Sequence, residues 1–253
     1  MAKVFLGVGH GGSDPGAVAF GRCEKDLNLS IALACNEELL RHGVDVKMSR
    51  YKDEEDTLNE ECRECNAFAP DLALDIHNNA GGGDGVEAFY HYGGGLSKTL
   101  AENIIAAVVA IGQNSRGTKT RRGSDGRDYY GFIRETVAPA VIVECAFVDN
   151  ATDIQIIDNE EECKTMGIAL AKGILATLGI AWIAPVVESP KVETPVVETP
   201  SVETPTETPE EIPEETVPET VPENKTEDYH NKLIDTIIKF LEWLMSLFKG
   251  GNE

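Results

Sequence analysis

Residues 140–150 read AVIVECAFVDN, and with KVFLGVGHGG at 3–12 and LALDIHNNA at 72–80 they decide the architecture. Each is a short apolar run, rich in valine, leucine and isoleucine, with apolar side chains at both odd and even positions. That is the pattern of a strand covered on both faces. Working outward, Asp26 precedes apolar residues at helical spacing and reads as an N-cap, with Gly43 as the stop. A strand is expected at 44–48. A second helix is expected to open at Asp56 and run to about Phe68, where Pro70 breaks it. The strand 72–76 ends at His77, residues 85–92 alternate like a strand, and 98–111 and 160–178 read as helices. Strands alternating with helices in this way predict an α/β fold, a mostly parallel sheet flanked by helices on both faces.

Nine of the 12 prolines lie between Pro185 and Pro222, and they divide the chain of 253 residues. Residues 1–184 carry nearly all the apolar periodicity and form the expected folded domain. Residues 185–228 repeat KVETP, VVETP and SVETP before loosening, and such a Pro/Glu/Thr tract predicts an extended, disordered acidic linker. Residues 229–253 contain NKLIDTIIKFLEWLMSLFKGG, an amphipathic helix with a narrow polar stripe. It is expected to self-associate, to dock at a membrane surface, or to pack on the catalytic domain or a wall ligand.

A net charge of −22 without a basic tail argues against nucleic acid as a partner, since phosphate contacts supply most of that affinity. The N-terminus MAKVFLGVGHGG lacks the charged, apolar and small-residue segments of a signal peptide, so the expectation is a cytoplasmic protein released by another route. Six scattered cysteines fit a reducing compartment. Cys62 and Cys65 form a CxxC, read here as helix surface because no second ligand pair accompanies it.

Two of the five histidines, His10 and His77, end predicted strands and so fall at the carboxyl edge of the sheet, where ligands bind. Their Gly- and Asn-rich surroundings favour a metal over a structural role. A hydrolytic zinc needs three protein ligands and one open position. Glu24, brought back toward His10 by glycines 11, 12, 16 and 21, is the natural third ligand. Glu144, a charge inside an apolar strand, needs a partner. That partner is a metal, a substrate, or an arginine such as Arg134 or Arg63.

HGGSDPGA, EKDLNLSIAL, LDIHNNA, GVEAFY and VIVECAFVDN occur in an order and spacing similar to the zinc-dependent N-acetylmuramoyl-L-alanine amidases of phage endolysins and bacterial autolysins. The resemblance covers about residues 3–180. It implies a peptidoglycan hydrolase with Zn2+ held by His10, Glu24 and His77, and Glu144 as catalytic glutamate. The implied bond is the amide between N-acetylmuramic acid and L-alanine of the stem peptide, cut during cell lysis after lysis or a holin releases the enzyme. Asn78 stands where many relatives carry alanine and Asp149 where serine is common.

A zinc peptidase acting within the stem peptide shares this ligand logic, and a non-enzymatic wall-binding protein is the third alternative. Arg116, Lys119, Arg121, Arg122, Arg127 and Arg134 form a basic cluster in an acidic domain. The run RRGSDGRDYYG reads as a mobile loop. Arg121, Arg122 and Arg127, with Asn78, are candidate contacts for acidic parts of the substrate. The competing reading is a solvated loop paired with nearby acids.

Overall fold

The structure, a computed structural model, describes residues 1–184; the expected linker and C-terminal helix lie outside the described residues. In chain order the elements are strands β1 (Lys3–Val8), β2 (Val18–Ala19) and β3 (Arg22–Cys23), helix α1 (Glu24–Arg41), β4 (Asp45–Met48), α2 (Leu58–Phe68), β5 (Leu72–Asn79) and β6 (Val86–Tyr90). They continue with α3 (Leu96–Val109), β7 (Ser115–Lys119), α4 (Gly131–Glu135), β8 (Ala140–Phe147), a 3-10 turn at Asp153–Ile156, and α5 (Glu160–Leu178). Six strands form one sheet in the order β4-β1-β5-β8-β6-β7. All neighbours are parallel except β6 and β8. The α/β expectation therefore holds.

The alternation of each central strand assigns its side chains to two cores. Val4, Leu6 and Val8, then Leu72, Leu74 and Ile76, then Val141, Val143 and Cys145 face the larger core, which α1, α3 and α5 cover. Phe5, Ala73, Ala140 and Ile142 face the smaller one, under α2 and α4 with Cys62, Cys65 and Phe132. The CxxC pair is therefore buried core and not helix surface. Burial pushes both thiols up to about 12, which keeps them protonated and inert. On this second face the apolar pattern stops toward one edge of the sheet: Asp75 and His77 of β5, Glu144 of β8 and Glu87 at the amino end of the antiparallel β6 occupy positions that alternation would give to core residues.

Several boundaries differ from expectation. Helix α1 starts at Glu24 behind Cys23, so Asp26 lies in the first turn beside Glu24, where a negative charge suits the helix dipole. Thr57, not Asp56, caps α2, accepting from the Glu60 amide. Strand β5 runs through His77 to Asn79, because pairing with β8 continues across an irregularity between those residues. Strand β7 and helix α4 escape sequence reading, since SRGTK is an edge strand without apolar alternation and α4 is a single short turn. The RRGSDGRDYYG segment carries backbone pairing of its own. Arg122 and Asp128 bridge, the Tyr129 amide donates to the Arg121 carbonyl at 2.8 Å, and buried Asp128 accepts from the Tyr92 amide.

Candidate active site

Three segments converge at the carboxyl end of β1 and β5. His10 leaves β1 with φ of 64°, a left-handed backbone that costs a non-glycine residue about 1 kcal/mol or more and clusters at functional sites. Glycines 11, 12, 16 and 21 all adopt positive φ, and the loop they shape returns to α1, whose first residue is Glu24. His77 lies against Gly9, where a Cβ would fall 2.1 Å from the imidazole Cε1. Only glycine lets the ring sit there. His10, Glu24 and His77 each bring a ligand atom within 4.8 Å of the others, the one such cluster among the described residues.

Each imidazole is held between two carboxylates. His10 Nδ1 lies 2.8 Å from Asp14 Oδ2 and its Nε2 3.2 Å from Glu24 Oε2. His77 Nε2 lies 3.3 Å from Asp75 Oδ2 and its Nδ1 3.2 Å from Glu24 Oε1. A neutral imidazole has one N–H. Protonated, both rings can donate to Glu24; neutral and with the N–H given to the outer carboxylate, each would leave its inner lone pair on the Glu24 side, so that the three ligand atoms could share one cation. Both imidazoles have raised pKa values. For His10 the hydrogen bond to Glu24 is the main cause, while for His77 burial opposes the rise and Asp75 and Glu24 outweigh it. Burial would raise the Glu24 carboxyl, but hydrogen bonds from both histidines and the Ala17 amide hold it well below the usual carboxylate range. The Asn78 amide and Asn28 Nδ2 also donate to Glu24 Oε1, at 3.0 and 3.3 Å. This donor set, two imidazoles and one carboxylate, matches a hydrolytic zinc site.

Glu144 pairs in register with His77 of β5 on one side and Glu87 of β6 on the other. Burial pushes its carboxyl up to about 7; Glu24, Glu87 and Asp75 add to the rise and His77 opposes it. Glu87 stays ionised because Arg116 and Lys119 both donate to it, overcoming its own burial. The alternative reading, an ion pair of Glu144 with Arg134 or Arg63, does not form, and Arg134 donates instead to Glu135 at 2.7 Å. Glu144 is thus a half-buried carboxyl beside His77, with no Lys or Arg bound to it among the described residues.

A sequence profile described as N-acetylmuramoyl-L-alanine amidase matches residues 4–176. The chain belongs to the N-acetylmuramoyl-L-alanine amidase family. It is 33% identical over 185 residues to N-acetylmuramoyl-L-alanine amidase CwlM of Bacillus licheniformis, covering 72% of this chain and 70% of that one. It is 32% identical over 190 residues to the endolysin of Bacillus phage SPP1, covering 71% and 68%. Among solved structures it is similar to the catalytic domain of CwlV, an amidase of Bacillus (Paenibacillus) polymyxa var. colistinus, with a TM-score of 0.63, 27% identity, 72% of this chain and 100% of that one. It is also similar to Cwp6 from Clostridium difficile, with a TM-score of 0.69 and 38% identity over 70% of this chain, which spans 29% of that longer protein. As a member of this amidase family the protein is a peptidoglycan hydrolase.

The remaining candidate residues are placed differently in the amidase. Asn78 is buried at 2% exposure, and its amide turns inward to Asn28 Oδ1 at 2.8 Å, so its side chain supports Glu24 and does not face a substrate. Arg116 and Lys119 are taken up by Glu87, and Arg127 is paired with Glu135. Arg121 and Arg122 are exposed and lie over the faces of Tyr129 and Tyr92, 3.6 and 3.8 Å from the ring centroids. Asp149 accepts from the amides of Gly81 and Gly82 and shapes the loop after β5. Sequence reading missed Asp14, Asp75 and Glu87. The last two carry the signal that exposed Glu144, a charge inside an apolar strand.

Proposed function

We propose that this amidase is zinc-dependent, with His10, Glu24 and His77 holding the ion and Glu144 moving the protons. The observation that carries the reading is the convergence of three ligand atoms beside a carboxyl whose pKa is pushed up to about 7. A zinc ion held there would supply Lewis-acid polarisation of the amide carbonyl and of water. Glu144 accepts the proton of the attacking water as its oxygen bonds the lactyl carbonyl carbon, then passes that proton to the nitrogen of L-alanine as the C–N bond breaks. A carboxyl near neutrality is matched to both transfers. The products are a muramic acid lactyl carboxylate and a stem peptide with a free amino terminus.

The aromatic-backed guanidinium groups of Arg121 and Arg122 are suited to grip carboxylates of the substrate. No helix among the described residues is long and apolar enough to cross a membrane. The likeness to a phage endolysin supports a role in cell lysis, with the enzyme held in the cytoplasm until lysis or a holin admits it to the wall. Digestion of sacculi with and without chelator, read by mass spectrometry, tests the reading. Free L-alanine amino termini that vanish with chelator and return with zinc are expected. New termini within the stem peptide, or release unaffected by chelator, would contradict it.

A further inference from the structure

We propose that Asp75 is the positioning residue of this site, fixing the His77 ring so that Nδ1 is turned to the metal position, with Glu61 of α2 closing the space behind it. The inference rests on the metal-binding reading above. Period-two alternation puts Asp75 and His77 on one face of β5, and Asp75 Oδ2 lies 3.3 Å from His77 Nε2. Asp75 is 3% exposed and Glu61 7%. Both line the cavity that contains His10 and His77.

Among the described residues, Asp75 Oδ1 and Glu61 Oε1 find no hydrogen-bond partner, and both atoms are buried. They meet over Gly7, where a Cβ would come 2.7 Å from the first and 2.3 Å from the second. The missing side chain at position 7 is the room they share. Two facing buried carboxyls are costly, and packing alone does not call for them: Ala73, two residues earlier on the same face, is an ordinary core residue. Asp75 differs from Ala73 in what it touches. Asp75 Oδ2 is placed to accept from His77 Nε2–H, and a ring held in that way keeps its Nδ1 lone pair for a metal. Asp14 makes the corresponding contact to His10 at 2.8 Å, but its side chain is 63% exposed, so water competes for it.

The test is zinc affinity, by chelator competition on the full chain, in Asp75→Ala, Asp75→Asn and Asp14→Ala. A second readout is the Nε2–H resonance of His77 in zinc-loaded, 15N-histidine-labelled protein. Asp75→Ala should weaken zinc binding about 10–100-fold and lose the resonance to exchange with water. Asp75→Asn, which keeps an acceptor, should lie between it and wild type, and Asp14→Ala should lose less than Asp75→Ala. Affinities within twofold of wild type with an unmoved resonance would overturn the proposal. So would loss of a second zinc equivalent with the first unaffected, since the acids would then be a site of their own. If the alanine variant does not fold, the same two readouts on Asp75→Asn decide. Neither readout depends on hydrolysis, so a separate digestion in which the zinc-loaded wild type releases no stem peptide would refute the proposed function and leave this proposal standing.

Discussion

The burial that would suit Glu144 to the proposed proton transfer also weakens the fold. Its carboxyl ionises near 4.3 in an unfolded chain and near 7 in the folded one, chiefly because of burial. Between those values the folded protein binds the extra proton, so stability falls as pH rises from about 4.5 to 7, and the full cost persists above. Metal-free Glu144→Gln should therefore unfold at a higher temperature than metal-free wild type at pH 8, by on the order of 2–3 kcal/mol, with the gap closing near pH 5. Thermal unfolding at the two pH values checks this. In the loaded enzyme Glu144 must be ionised to accept a proton, and a nearby dication favours that form. The acid limb of kcat/KM should accordingly show one group with a midpoint at or below about 7. The raised pKa values of His10 and His77 mean that protons compete with the metal. Zinc affinity should weaken steadily as pH falls from 8 to 6, with proton release visible as a buffer dependence of the calorimetric heat.

At the scale of elements, the site depends on how closely β1 approaches β5. Gly9→Ala would place a methyl group 2.1 Å from the His77 ring atom, so ring or strand must move. Overpacking of this kind costs about 1–3 kcal/mol, and here it should also weaken zinc binding; unfolding and chelator competition on one sample would show both. The segment 121–130 is braced by its own bridge and by Asp128, which presents Arg121 and Arg122 on aromatic faces at fixed positions. Charge reversal of these two arginines should raise KM several-fold with kcat little changed, as steady-state kinetics on soluble muropeptides would show. An unchanged KM would mean that the pair is only solvated surface.

Over the whole molecule, the strands that pass through both cores were legible because each is apolar at every position until it reaches the site. The interruptions themselves marked His10, His77 and Glu144. Asp75 and Glu87 interrupt their strands in the same way, but what they contact depends on α2 and β7, which come from elsewhere in the chain. Strand β7 and helix α4 left no signal, the first because an edge strand need not alternate and the second because one turn has no period. The burial of Cys62 and Cys65 was hidden because the stripe of α2 that faces the sheet also carries Glu61. The family match ends at residue 176, so a chain cut at 184 should bind zinc and turn over soluble muropeptides like the full chain. The most direct test of the whole account is turnover of defined muropeptides by Glu144→Gln at a zinc content equal to wild type. A loss of about 10²–10⁴-fold is expected, and release of stem peptides at the wild-type rate would contradict it.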